Sequence, residues 1–272
     1  MSEGEIMLAN YHTHSTFSDG KDTPEQIVLA ALEKGFCAIG FSEHGYAEYD
    51  QVCSIKDLDG YIGEITRLKK KYKNDIQIYL GIEEDACSAV DRSRFDYLIG
   101  SMHYMPYHGK YYPLDASREK LLECVDCFYG DPLWLAENYY RTFCDYILLR
   151  KPDIVGHFDL ITKFDEKDVP IFLGDHRYQR IAEKYLSEVV KCDCYFEVNT
   201  GAIGRGYRTT PYPAENLLQI LYRYDARIIL SSDSHSVQTL DQSFAETKAY
   251  LKDIGFRHAY ALYNDEFTKY EL

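Results

Sequence analysis

Short apolar runs alternate with helical patterns along most of this chain, and most of the runs end on a histidine or a carboxylate. Strand-like stretches fall at 6–12, 37–42, 76–82, 97–101, 154–156, 195–199 and 227–231, with helical patterns between them, notably at 57–72, 132–149 and 177–191. Parallel neighbours need a crossover of a dozen or more residues, usually a helix. About seven strands spaced in this way predict a parallel α/β sheet or barrel. The first helix is marked locally. Thr23 stands before Pro24 and three residues before Gln26, a capping box with proline at the first helical position, and Gly35 suits the C-terminal end.

A length of 272 residues is ordinary for one α/β barrel. No Pro/Ser/Gly-rich linker, composition shift or internal repeat divides the chain, so residues 1–272 are read as a single domain. One region departs from the rhythm: 105–130 is long, Tyr-rich and irregular, and is expected to be an insertion over one face. The formal charge of -14 argues against a dedicated nucleic-acid partner, since such a surface repels phosphodiester backbones. The eight cysteines are scattered and form no disulfide framework, and Cys124–Cys127 is an isolated CxxC without a second pair. Met1 to Ala9 is too short and polar for a signal peptide, and no apolar run approaches membrane-spanning length, which points to the cytosol and to no membrane partner. Oligomeric state leaves no mark in the sequence.

The strand ends carry the chemistry. His12 and His14 are two apart, so on an extended segment both imidazoles face one way. Asp233 and His235 repeat the arrangement near the other end of the chain. Between them stand Asp19 in a loop, His44 in S-E-H-G, Glu83 in G-I-E-E-D, His103 in G-S-M-H and His157 in V-G-H-F-D. In a parallel barrel these project from the C-terminal rim, where such folds build active sites. His108, His176 and His258 lack that placement and are read as surface or structural residues. Six imidazoles and three carboxylates exceed the needs of one tetrahedral ion. With some bridging they suit two to three divalent transition-metal ions, zinc, manganese or iron. Clustered ions of that kind serve in-line displacement at phosphorus.

These segments resemble the PHP (polymerase and histidinol phosphatase) superfamily, and within it the histidinol-phosphate phosphatases. The resemblance spans nearly the whole chain through H-T-H-S-T-F-S-D-G, F-S-E-H-G, G-I-E-E-D, F-D-Y-L-I-G-S-M-H, V-G-H-F-D-L, E-V-N-T-G-A-I-G-R-G and S-S-D-S-H. It implies a distorted (β/α)7 barrel with a trinuclear centre held by His12, His14, Asp19, His44, Glu83, His103, His157, Asp233 and His235, with Asp233 and His235 also counted as catalytic. The implied reaction is hydrolysis of L-histidinol phosphate, in histidine biosynthesis, by direct attack of metal-bound hydroxide. Where members often carry T-D-H, this chain has Ser42-Glu43-His44; the ligand is kept and its neighbour is longer.

A phosphomonoester also needs cationic anchors, for which Lys163, Arg205 and Arg208 are the candidates. In the 105–130 region, Tyr111, Tyr112 and Asp115 are candidates to meet the imidazole and amino group of histidinol. Two other readings use the same residues. One is a PHP-type phosphoesterase for nucleotides or oligonucleotides, or an exonuclease; the other is a metal-binding protein without catalysis, against which the intact ligand set stands.

Overall fold

The computed structural model describes residues 7–272. Residues 1–6, which hold the start of the first predicted strand and most of the segment weighed as a leader, lie outside them. The chain runs β1 (Ala9–Asn10), α1 (Pro24–Glu33), β2 (Ala38–Phe41), α2 (Leu58–Lys71), β3 (Gln77–Asp85), β4 (Tyr97–Ser101), β5 (Tyr104–Tyr107) and β6 (Lys110–Pro113). It continues through α3 (Arg118–Cys127), α4 (Pro132–Arg150), β7 (Ile154–Val155), α5 (His176–Val189), β8 (Tyr195–Asn199) and α6 (Gly201–Gly204). The last elements are α7 (Glu215–Arg223), β9 (Ile228–Ser231), α8 (Phe244–Ile254), β10 (His258–Tyr263) and β11 (Glu266–Glu271).

Strands β1, β2, β3, β4, β7, β8 and β9 lie side by side in that order, each parallel to the next. A parallel bridge between Thr13 and Ser234 then joins the chain beyond β1 to the chain beyond β9. The His14 amide donates to the Ser234 carbonyl at 2.8 Å and the Ser234 amide to the His12 carbonyl at 3.0 Å. This contact closes the seven parallel strands into the distorted (β/α)7 barrel. Strand β10 adds in parallel beside β9, and β11 folds back on it antiparallel.

Tyrosines fill the ring. Tyr11, Tyr79 and Tyr97 pack with Ala9, Ala38, Ile99, Ile154 and Ile229 in one buried cluster. Buried hydroxyls need partners. Tyr97 donates to the carbonyls of Tyr11 and Phe41 at 2.6 and 3.1 Å, and Tyr11 donates to that of Leu262 at 2.7 Å. The Tyr97 ring fits because position 81 has no side chain: a Cβ there would stand 2.2 Å from a ring carbon. Outside the ring, α1 and α2 cover the first strands through Ile27, Val28, Tyr61, Ile65 and Leu68, while α3, α4, α5, α7 and α8 share the larger outer core.

The α1 capping box forms as its sequence predicts, with the Thr23 side chain accepting from the Gln26 amide and the Gln26 side chain from the Thr23 amide. The region 105–130 differs from expectation: it is ordered as the β5–β6 hairpin followed by α3. The turn at His108–Gly109 has φ of 48° and 76°, the two left-handed residues of a type I′ hairpin turn. Histidine in the place usually taken by Asn or Asp disguises that turn in the sequence. Ser117 caps α3, whose Leu121, Cys124 and Val125 are buried, and all eight cysteines are free thiols. Among the described residues, no helix is long and apolar enough to cross a membrane.

Adding one methyl group at Gly81 would push the Tyr97 ring off its two acceptors. Gly81→Ala is expected to destabilise the fold by about 1–3 kcal/mol, as overpacking does. Denaturant unfolding checks this, with Gly63→Ala as the control, because nothing lies within 4 Å of a Cβ at that helical position.

Candidate metal centre

Eight of the nine candidate ligands are set by a strand or by the residues just past its C-terminal end, and Asp19 comes from the loop between β1 and α1. Thr13 occupies the closing bridge and donates its hydroxyl to the Gly40 carbonyl at 2.6 Å. His12 and His14 flank it and turn the other way, by the two-residue alternation of extended chain. The β2–β3 pairing continues past β2: the Glu83 amide donates to the Glu43 carbonyl at 3.0 Å, and His44 lies directly across from Glu83. His103 follows β4, His157 follows β7, and Asp233 with His235 follows β9.

All nine predicted ligands converge. Glu83, 1% exposed, lies at their middle. Its Oε2 is 3.2 Å from His12 Nε2, 3.6 Å from His14 Nε2 and 2.9 Å from His44 Nδ1, while its Oε1 is 3.5 Å from His103 Nε2 and 3.2 Å from His157 Nε2. Asp233 Oδ1 stands 3.3 Å from His14 Nε2 and 3.6 Å from His12 Nε2. Asp19 faces His235, His44 and His14 at 3.3, 3.7 and 4.0 Å. The donor atoms form four overlapping groups: His12, His14 and Glu83; His44, Glu83 and His103; His12, His157 and Asp233; and His14, Asp19, His44 and His235.

This set fits metal ions on two grounds. Bonds of about 2.0–2.1 Å in a tetrahedral shell put neighbouring donors about 3.3–3.4 Å apart, and most of these separations fall near that edge rather than at hydrogen-bond length. In addition, His12 Nε2, both ring nitrogens of His14 and both oxygens of Glu83 are buried without a hydrogen-bond partner. Buried polar atoms in folded proteins are ordinarily satisfied. The electrostatics agree. Burial raises the Glu83 carboxyl, but the imidazoles of His12, His103 and His44 outweigh it and hold the group well below the carboxylate range. Burial, together with the rings of His44 and His235, pushes His14 down to about 3, leaving a neutral imidazole with a free lone pair. Against burial, Glu83 and Asp19 hold His44 up at about 10. The crowded carboxylates thus favour positive charge at this point of the cluster.

A surrounding set of residues fixes the ligands, and sequence reasoning assigned it no role. Glu197, fully buried in β8, accepts from His12 Nδ1 at 2.6 Å, from the His157 amide at 2.8 Å and from Asn199 at 2.9 Å. That bond selects the His12 tautomer whose Nε2 lone pair faces the cluster. Asp85 takes the His103 amide at 2.7 Å and lies 3.4 Å from its Nδ1. Glu43, the longer neighbour of His44, accepts from the Ser15 amide at 3.0 Å and from the hydroxyls of Ser15 and Ser18, pinning the loop between His14 and Asp19. The signal for Glu197 was the alternation in E-V-N, which turns its side chain inward with Asn199.

A cavity of about 300 Å³ opens over the ligands, with Asp50, Tyr104, Asp115, Lys163 and Arg205 in its wall. Lys163 Nζ donates to the carbonyl and carboxylate of Asp115 at 2.7 and 3.1 Å. Although burial raises it, Lys163 and His103 hold the Asp115 carboxyl down at about 2. Arg205 reaches Asp233 Oδ2 at 2.8 Å, a close approach that Gly201 permits: a Cβ there would lie 2.9 Å from both partners. Arg208 is not brought to this cavity. It is 4% exposed, donates to Thr162 at 2.6 Å, pairs with Asp159 at 3.6 Å and stacks on Tyr212 at 4.3 Å. Of the two tyrosines, Tyr111 stacks on Tyr49 at 4.0 Å and Tyr112 packs against the outer core, both outside the wall of this cavity. His108, His176 and His258 are exposed and take no part in the cluster.

A family model described as "PHP domain" matches residues 10–201. A Schizosaccharomyces pombe protein named "Probable histidinol-phosphatase" is 27% identical over 274 residues, covering 92% of this chain and 87% of its own. The histidinol-phosphatase of Bacillus subtilis is 26% identical over 249 residues, covering 82% of this chain and 92% of its own. In fold, the chain is similar to a crystal structure of histidinol phosphate phosphatase from Lactococcus lactis, solved with zinc, L-histidinol and phosphate. The TM-score is 0.73 at 21% identity, over 96% of this chain and 98% of the other.

Elemental analysis of protein prepared without chelators is expected to find about two or three divalent ions per chain, given four donor groups that share members. Glu197→Gln should weaken metal retention by about 10–100-fold, as losing a ligand's orienting partner does. His176→Ala should leave it unchanged.

Proposed function

Because the chain belongs to the PHP domain family, we propose that it is a metal-dependent phosphomonoesterase hydrolysing L-histidinol phosphate to L-histidinol and phosphate. The observation that carries this reading is the convergence of nine ligand side chains, with orphaned buried donors, beneath a cavity that also holds two cationic groups. The names of the relatives supply the substrate.

His12, His14, Asp19, His44, Glu83, His103, His157, Asp233 and His235 would hold the ions. Bound divalent ions would polarise the phosphoryl oxygens and supply a nucleophile at neutral pH. The chain's own groups do the positioning. Arg205 and Lys163 give the cavity its fixed positive charge, and each is held in direction by the carboxylate of Asp233 or Asp115. A cation held in this way meets a phosphoryl group without reorganising. Arg208 braces the wall from behind through Asp159 and Thr162. A cavity of about 300 Å³ suits a small phosphate ester better than nucleic acid. Eight free thiols favour a reducing compartment, so we place the reaction in the cytosol.

One observation favours the second reading, a phosphoesterase for larger esters. A second cavity of about 470 Å³, with Lys21, Tyr207 and Gln242 in its wall, shares Asp19, Arg205, Asp233 and His235 with the first. Steady-state kinetics on metal-replete protein separate the two. Histidinol phosphate is expected to give a higher kcat/KM than nucleoside monophosphates or a dinucleotide; the reverse order would assign the larger substrates. Asp233→Asn, which keeps a residue tolerant of the left-handed φ of 46° at this position, should abolish turnover of every ester. Arg205→Ala should lower kcat/KM by about 2–4 kcal/mol in transition-state terms.

A further inference from the structure

Four carboxylates stand in the wall of the cavity over the ligands: Asp19, Asp50, Asp115 and Asp233. Three have cationic or imidazole partners. Asp19 faces three histidines, Asp115 takes Lys163 at 3.1 Å and Asp233 takes Arg205 at 2.8 Å. Asp50 is different. Its Oδ1 accepts from the Cys53 amide at 3.1 Å, and among the described residues no lysine, arginine or histidine pairs with it. A half-buried carboxylate in a confined cavity is costly to leave uncompensated.

Its surroundings are built to receive a cation. The Tyr104 hydroxyl lies beside the Asp50 carboxylate, and Tyr104 forms part of the same wall. The Tyr104 ring is held edge-on by Tyr49 at 4.9 Å, and Tyr49 is tied through its hydroxyl to Asp85 at 2.7 Å. The same Asp85 takes the amide of the ligand His103, so the aromatic wall is braced directly to the centre. The loop that carries Asp50 is anchored at its far end, where the Ile55 amide donates to the His44 carbonyl at 2.8 Å. A carboxylate with a phenol hydroxyl beside it offers an organic ammonium a charge-assisted hydrogen bond and a second oxygen acceptor. Asp115, the acidic residue expected from the sequence to read the amine, already spends its charge on Lys163.

We propose that Asp50, with Tyr104 beside it, is the subsite that binds the ammonium group of the substrate, and that Asp115 serves instead to hold Lys163 toward the phosphate. The assignment rests on the reading of the neighbouring cluster as a phosphomonoesterase centre, and it defines the substrate class as small phosphomonoesters bearing a primary ammonium. Both parts are open to one comparison. Metal-replete wild type, Asp50→Asn and Asp115→Asn are assayed on histidinol phosphate and on 3-(imidazol-4-yl)propyl phosphate, which lacks only the amine. Asparagine keeps an acceptor for the Cys53 amide, and elemental analysis of each variant checks that the centre is filled.

Wild type should prefer the aminated ester. In Asp50→Asn the ratio of the two kcat/KM values should fall by about tenfold or more, chiefly through KM for the aminated ester, as loss of a charged hydrogen-bond partner implies. In Asp115→Asn both esters should slow together and the ratio should hold. A preference that survives Asp50→Asn, or one that collapses only in Asp115→Asn, overturns the subsite while leaving the phosphatase standing. Wild type indifferent to the amine overturns the substrate reading and the subsite together, and wild type inert on both esters with its metals bound overturns the centre's function.

Discussion

A carboxylate shut away from water inside a ring of imidazoles is the constraint from which the rest of this structure follows. Glu83 is 1% exposed and has five histidine rings within 3.6 Å of its oxygens. A charge so placed is tolerated only where opposite charge surrounds it. The histidines therefore have to come from several strands, and all from the same end. A parallel barrel meets that demand because its strand ends share one rim and are held rigidly by their neighbours. Glu43, Asp85 and Glu197 extend the pattern outward, each fixing the backbone or ring of a ligand rather than joining the cluster.

The same logic reconciles an acidic protein with an anionic substrate. The formal charge of -14 is summed over the whole chain, whereas the cavity carries Lys163 and Arg205 alongside whatever cations the cluster holds. Each of these side chains leans on a carboxylate that aims it. Such pairs are weak arguments for stability. Their value lies in direction: a guanidinium or ammonium already in place loses less freedom when phosphate arrives.

Much of this was legible in the sequence. The ligands could be found because strands alternate and because all but Asp19, which lies in a loop, stand at the end of a short apolar run of the kind a buried strand produces. The capping box at Thr23 and Gln26 was readable because its chemistry is local. Less legible were features set by partners far along the chain. Arg208 stood in a glycine-rich loop and resembled a phosphate anchor, yet its guanidinium is committed to Asp159 and Thr162 behind the wall. Asp115 and Lys163 each pointed to substrate, and neither sequence position reveals that they meet each other. Asp50 lies in a polar loop with nothing to mark it; only the pairing of every other carboxylate in the cavity makes it stand out. The β5–β6 hairpin was hidden by a histidine at a position where asparagine is the usual sign.

The ring closes where Thr13 meets Ser234, so the first and last candidate ligands are brought together by the final parallel strand of the barrel. During synthesis the amino-terminal histidines leave the ribosome long before Asp233 and His235 exist. A nascent or truncated chain can display some of the donors but never the full set. Only a chain made through its last barrel strand can therefore gather all nine candidate ligands at one rim, although the groups built on Glu83 are complete without that strand.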